Sequence, residues 1–106
     1  MEKTIEKPLH NMFIVILTYQ KPLNEVMNFL SEHDIYLDKY YKNKIFIASG
    51  RQNPCTGGII ICNAKNRSEV QSIIEEDPFF INDVAKYDII EFEVMKHSEA
   101  FKQILA

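Results

Sequence analysis

The sequence predicts an α+β domain with the order β-α-β-β-α-β and a further helix after the last strand. Four short runs of apolar and β-branched residues are typical of strands, and two longer segments between them have helical periodicity. A stretch of turn-forming residues separates the second run from the third. This order is the split βαβ pattern of ferredoxin-like folds, in which two helices cover one face of an antiparallel sheet.

The first half of the domain contains the longest helical segment. Residues 12–19 are dense in β-branched and aromatic side chains, which predicts a central strand covered on both faces. One helix is predicted over most of residues 22–42, because its apolar side chains recur at steps of three and four. Residues 45–48 predict a second strand that ends in a loop over 49–58, and residues 58–62 predict the third strand.

The second helix has a recognisable beginning. Asn66 is in position to cap it, with Glu69 three residues later as in a capping box, and the helix should end near Glu76. Asp77 precedes Pro78, which disfavours helical geometry at Asp77 and predicts a new short turn beginning at the proline.

The end of the chain predicts one more strand and one more helix. Residues 87–94 predict the fourth strand, and a short helix capped by Ser98 is predicted over 98–105. The strand should have one wetter face because its apolar residues alternate with glutamates: Ile90, Phe92 and Val94 against Glu91 and Glu93. We therefore divide the chain into an N-terminal extension (1–11), one domain (12–95) and a helical tail (96–106).

Composition and charge exclude several classes of function. A chain of 106 residues with 46% hydrophobic content suits one compact domain. The net charge is −3 and the basic residues are scattered, so no surface for binding nucleic acid or anionic membranes is predicted. The apolar runs are too short to span a bilayer, and no signal peptide pattern precedes them, so we expect a cytoplasmic protein. Two cysteines, Cys55 and Cys62, are too few for a disulfide framework or a four-ligand metal site, and no metal site is predicted.

The predicted fold leaves one face of the sheet without helices. Four strands present a few hundred square ångströms of mostly apolar surface there, more than a soluble monomer usually leaves in water. Pairing of two copies through their sheets is the simplest remedy, so we expect a homodimer.

His33 is the most informative single residue. It falls on the apolar stripe of the first helix, among Val26, Leu30, Leu37 and Tyr40, and is therefore expected to face inward. A buried ring nitrogen without a partner costs ~1–3 kcal/mol, so His33 needs a hydrogen-bond partner. A lone inward histidine is usually a satisfied core residue, which leaves both a structural and a functional interpretation open.

Five short motifs in the right order resemble the YCII-related (YciI-like) domain family over residues 12–95. They are His33 with Leu37 in the first helix, Ala48-Ser49-Gly50, Thr56-Gly57-Gly58, Glu76-Asp77-Pro78-Phe79, and Tyr87-Asp88-Ile89-Ile90-Glu91-Phe92. The resemblance implies a ferredoxin-like fold paired into a dimeric α+β barrel. It also implies an active site with a histidine and an aspartate, which by motif position are His33 and Asp77.

These residues define a candidate site. We expect His33 to act as a base and Asp77 to orient it, because a carboxylate fixes the tautomer of an imidazole and stabilises its cation. Asp77 before a proline is also an ordinary helix cap. Residues proposed to bind substrate are Ser49 and Gly50 at a strand end, Arg51 for an anionic group, and Tyr19, although each also fits a turn, a solvated loop or the core.

Two main hypotheses about function remain open at this point, while a third, a purely structural interaction module, fits the composition but leaves His33 unexplained. The first is a small enzyme without a cofactor, in which the histidine and aspartate move a proton on a small organic substrate in an isomerase- or lyase-like step. That reaction class rests on analogy between folds. The second is a non-catalytic dimer that binds a small molecule or senses a metabolite in the same pocket.

Overall fold

Residues 10–105, which the computed structural model describes, form a four-stranded antiparallel sheet with helices packed on one face. The strands are β1 (His10–Tyr19), β2 (Phe46–Arg51), β3 (Gly57–Cys62) and β4 (Ala85–Val94), in the spatial order β2-β3-β1-β4. The helices are α1 (Leu23–Met27), α2 (Leu30–Lys42), α3 (Arg67–Ile74), α4 (Pro78–Ile81) and α5 (Lys102–Leu105). This order, with every pair antiparallel, confirms the predicted ferredoxin-like α+β fold.

The prediction of one helix over residues 22–42 was wrong, because the segment forms two helices separated by Asn28 and Phe29. The N–H groups of both residues bond to carbonyls three residues back, which tightens and ends the first helix. Phe29 leaves helical geometry at φ −112° and ψ 9°, and its ring packs against the core. Tertiary packing here overrides the helical pattern of the sequence.

The second strand is longer than predicted. Ser49, Gly50 and Arg51 were expected in a loop, but they pair with β3 as the last three residues of β2. The strand β3 begins at Gly57, where a Cβ atom would lie 1.8 Å from the backbone oxygen of Leu17. Glycine is therefore required at this position by the close approach of β1.

The two ends of the chain also differ from expectation. Residues 1–9 of the predicted extension lie outside the described residues, and β1 begins at His10, two residues before the predicted start. The final helix covers only Lys102–Leu105, so Ser98 does not cap it as predicted. Ser98 instead accepts a hydrogen bond from the N–H of Phe101 through its backbone oxygen.

Local signals at α3 and α4 were interpreted correctly. The Asn66 side chain accepts a hydrogen bond from the N–H of Glu69 at 2.8 Å and caps α3. Asp77 caps α4 in the same way, with Pro78 in the first turn. These two caps fix where α3 begins and where the chain turns after it.

The core lies between the helices and one face of the sheet. Alternate residues of β1 point into it, including Phe13, Val15 and Leu17, each no more than 3% exposed. Ile90 and Phe92 lie on the other face of β4 and are each 48% exposed. This apolar face was expected to be drier than the face that carries the glutamates, but it is open. Within residues 10–105, no helix is long and apolar enough to cross a membrane.

Candidate active site

Asp77 is a buried carboxylate that accepts hydrogen bonds from three donors. Its side chain has no exposed surface. Its Oδ1 accepts from the N–H of Phe79 at 2.9 Å and lies 2.8 Å from His33 Nδ1, while its Oδ2 accepts from the Tyr87 hydroxyl at 2.7 Å. The helix cap and the histidine contact, which sequence reasoning treated as alternatives, therefore coexist in one side chain.

His33 lies between this carboxylate and a cavity. Because a carboxylate only accepts hydrogen bonds, the contact with Asp77 places a proton on Nδ1 of the imidazole. The ring stacks on Phe79 with centroids 4.0 Å apart and planes 4° apart, so packing and the hydrogen bond together fix its orientation. The side chain is 11% exposed, and in the described chain Nε2 has no hydrogen-bond partner. That nitrogen remains available to a ligand.

Sequence reasoning missed the role of Tyr87 beside Asp77. This tyrosine lies on β4 opposite Leu17 of β1, on the face of the sheet that carries the helices. Burial, and then the negative charge of Asp77, raise the pKa of Tyr87, so its hydroxyl stays protonated and donates. The only signal available in the sequence was the need of a buried carboxylate for more than one donor.

A cavity of about 470 Å³ is bordered by α1, α2, β1 and the paired ends of β2 and β3. Most of its wall is aliphatic, from side chains such as Leu17, Leu23, Met27, Leu30 and Leu37. The polar or ionisable side chains that line it are those of Tyr19, His33, Asp34, Ser49, Arg51 and Cys55. A mostly apolar cavity with a few polar groups is the usual form of a small-molecule site.

The four residues predicted to bind substrate all line this cavity, whereas Asp77 lies behind His33 and does not. Ser49 Oγ lies 2.6 Å from the hydroxyl of Tyr41, a residue outside the cavity wall. A Cβ atom on Gly50 would meet nothing within 4 Å, so open space adjoins its backbone. Burial, and then the nearby Cys55, raise the pKa of Tyr19, while Arg51 opposes this shift. The binding roles of these residues stay predictions.

The two cysteines occupy different environments. Cys62 is buried in the core, and burial raises the pKa of its thiol to about 12. Cys55 is exposed and lies at the cavity, in the loop between β2 and β3. Across residues 10–105, no group of three or more potential metal-ligating side chains comes together.

Fold and site together define a ferredoxin-like α+β protein with a histidine–carboxylate pair beside a small-molecule-sized cavity. The family model of the YCII-related domain matches residues 12–93, and the chain belongs to that family. Among curated proteins, no sequence matches the chain.

A solved structure with a similar fold is the 5-chloro-2-hydroxyhydroquinone dehydrochlorinase TftG from Burkholderia phenoliruptrix AC1100, in complex with 2,5-dihydroxybenzoquinone. The superposition has a TM-score of 0.68 and covers 84% of this chain and 97% of that chain. The two sequences are 19% identical, so the likeness establishes the fold.

Proposed function

We propose that the protein is a small enzyme in which His33 takes a proton from an organic substrate held in the cavity. Asp77 is the orienting residue, which keeps the proton of the neutral imidazole on Nδ1 and leaves Nε2 as the base. When Nε2 is protonated, the carboxylate stabilises the resulting imidazolium. Such a transfer between a side chain and a substrate requires no cofactor.

One observation carries this proposal: the 2.8 Å contact of His33 with a carboxylate that has no exposed surface. A structural histidine in a core uses both ring nitrogens within the protein or leaves one facing bulk water. In this case the second nitrogen belongs to a side chain that lines a cavity of about 470 Å³. The His33 side chain is 11% exposed and that of Asp77 has no exposed surface, so water screens the interaction between the imidazolium and the carboxylate weakly.

The proposed reaction class is an isomerase- or lyase-like step. Both begin with removal of a proton from carbon or oxygen, and in an elimination a leaving group departs with its electron pair. The name of TftG describes such an elimination, the loss of hydrogen chloride from a hydroxylated aromatic ring. For this chain, that reaction and that substrate class are starting points for assay.

The test is a turnover screen of small carboxylates, lactones and hydroxylated aromatics, with 5-chloro-2-hydroxyhydroquinone among them. For any compound that is turned over, His33→Ala should lower the rate by ~100-fold or more. His97→Ala is the matched control, because His97 does not line the cavity and should be dispensable. Equal turnover by wild type and His33→Ala would contradict the proposal. A ligand that stabilises the protein without being turned over would instead identify a non-catalytic binding protein.

We also propose that two copies pair through the open face of the sheet. The register places Ile14 between Ile61 and Ile90, and Ile16 between Ile59 and Asp88, so apolar side chains of β3, β1 and β4 adjoin on this face, with one carboxylate among them. A second copy offers the same mostly apolar face, as symmetric pairing requires.

Light scattering should give twice the mass of the chain, and Phe92→Glu should halve that mass. Ile81→Glu is the control, since Ile81 is 64% exposed on α4.

A further inference from the structure

The cavity has a second polar feature, away from the histidine and aspartate. Ser49 lines the cavity from β2, and its Oγ lies 2.6 Å from the Tyr41 hydroxyl on α2. The Tyr41 ring packs edge-on against Phe46, with centroids 6.1 Å apart. Tyr41 is therefore held in place behind a serine that faces the cavity.

The direction of this hydrogen bond decides what Ser49 offers to a ligand. Either hydroxyl can donate in this contact, and we assign the Tyr41 O–H as the donor because a phenol is a stronger hydrogen-bond donor than an alkyl alcohol. The Ser49 O–H has no other acceptor in the described part of the chain. A hydroxyl that accepts one hydrogen bond is polarised and becomes a better donor of its own proton. With this assignment, the Ser49 O–H is available to donate to a molecule bound in the cavity.

The charges around the cavity indicate what kind of oxygen Ser49 would meet. Arg51 is positive and follows Ser49 by two residues on β2, while Asp34 is negative and follows His33 on α2. Asp34 lies on the helix side of the cavity, and Arg51 lies on the strand side with Ser49. The serine and arginine together favour negative charge that develops on one oxygen of a bound molecule.

We infer that the substrate is a ring-sized carbonyl compound or phenol whose oxygen becomes an oxyanion, held by Ser49 and Arg51. This inference rests on the proposed function. His33 Nε2 gains the proton of a C–H next to the carbonyl, or of the phenol O–H. For the carbonyl compound, the C–H electron pair forms the C=C bond of an enolate and the carbonyl π pair moves to the oxygen; for the phenol, the O–H pair stays on the oxygen. In both cases the oxyanion accepts hydrogen bonds from the serine hydroxyl and the guanidinium. Tyr41 is a positioning residue that acts through Ser49.

The experiment measures binding without any proton transfer. The probes are 4-nitrophenolate, in mildly alkaline buffer where the phenol is fully ionised, and nitrobenzene, which lacks the oxyanion. Wild type should bind the phenolate more tightly than nitrobenzene. Ser49→Ala should weaken phenolate binding by about 10-fold and Tyr41→Phe by about 3-fold, since a hydrogen bond to a charged group is lost or weakened. Neither variant should change nitrobenzene binding.

Two further variants make the outcome specific. In the Ser49→Ala background, Tyr41→Phe should have no additional effect, because the tyrosine acts only through the serine. Tyr40→Phe is the matched control: it removes the hydroxyl of the neighbouring residue, which bonds to Glu76 and does not line the cavity.

Three results would overturn the inference: unchanged phenolate binding in Ser49→Ala, an equal loss of nitrobenzene binding, or no preference of wild type for the phenolate. None of them bears on whether His33 supports turnover, which the screen with His33→Ala decides separately.

Discussion

Glu76 and Asp77 are adjacent carboxylates with parallel sets of partners. Each accepts hydrogen bonds from a tyrosine hydroxyl and contacts a basic side chain of α2. For Glu76 these partners are Tyr40 at 2.6 Å and Lys39 at 2.9 Å, both on Oε1. Judged by these contacts alone, Glu76 would be as good a candidate site residue as Asp77.

The two clusters differ in their surroundings. The Glu76 side chain is 47% exposed and that of Lys39 is 58% exposed, so water screens their attraction and competes for both groups. The Asp77 side chain is fully buried, and its basic partner His33 is 11% exposed. An exposed ion pair only ties α2 to the end of α3. In the proposed function, the buried carboxylate also orients a titratable base that lines the cavity, and the proposal depends on this difference.

The largest effect that separates the two clusters is expected from Asp77→Asn. An amide presents an N–H₂ group and one carbonyl oxygen to three donors, so hydrogen bonds of buried groups are lost and His33 can adopt the wrong tautomer. We expect turnover to fall by ~100-fold or more and the free energy of unfolding to fall by ~2–4 kcal/mol. Steady-state kinetics and urea denaturation measure the two quantities.

The matched control for this change is Glu76→Gln, one residue away and with the same loss of charge. Turnover should be unchanged, and the loss of stability should be under ~1 kcal/mol. Asp77→Asn with full turnover would show that the carboxylate is merely the cap of α4.

A smaller effect is expected from Tyr87→Phe, which removes one of the three donors to Asp77 and keeps the aromatic ring. The buried Oδ2 then has no partner, so the free energy of unfolding should fall by ~1.5–3 kcal/mol. Turnover should fall by ~10-fold or less, because the contact between Asp77 and His33 remains. Thermal or urea denaturation and kinetics provide the readouts.

Tyr40→Phe is the comparison for Tyr87→Phe, because its hydroxyl bonds to the exposed Glu76. Its cost in stability should be under ~1 kcal/mol, with no change in turnover. If both tyrosine variants cost the same, burial would not be what distinguishes the two carboxylates.

Much of the fold could be predicted because its signals are local. Asn66 and the Asp77-Pro78 pair specify helix starts through the chemistry of a few neighbouring residues. The order of apolar runs and helical segments then leaves few topologies compatible with an antiparallel sheet. His33 attracted attention on physical grounds, as a histidine on an apolar stripe. Asp77 as its partner came from the family motif, because spacing along the chain does not show which helix end meets which side chain.

The features that could not be predicted from the sequence depend on contacts between residues that are far apart in the chain. Residues 49–51 have no strand pattern of their own and become β2 because β3 offers hydrogen-bond partners. The break at Phe29 follows from packing of its ring on the core. The position of Tyr87 near Asp77 depends on the register of β4 against β1, which no residue near Asp77 encodes.

The smallest predicted effect concerns the pH dependence of the exposed cluster. The hydrogen bond from Tyr40, followed by that from Lys39, lowers the pKa of Glu76 below its ordinary value of 4.5. Because the pKa is lower in the folded state, ionised Glu76 stabilises the protein above about pH 4.5, and this contribution is lost as the pH falls through the folded pKa. Glu76→Gln should therefore cost under ~1 kcal/mol at neutral pH, and less at high salt because the pair is exposed.

That cost should disappear in acid below the folded pKa, where wild type also carries an uncharged side chain at this position. Urea denaturation of both proteins at neutral and acid pH, with and without added salt, measures the difference. A cost that persists in acid would mean that Glu76 contributes through shape and hydrogen bonding instead of charge. In that case Glu76 and Asp77 would differ only in burial, and the ion pair between Glu76 and Lys39 would contribute nothing to stability.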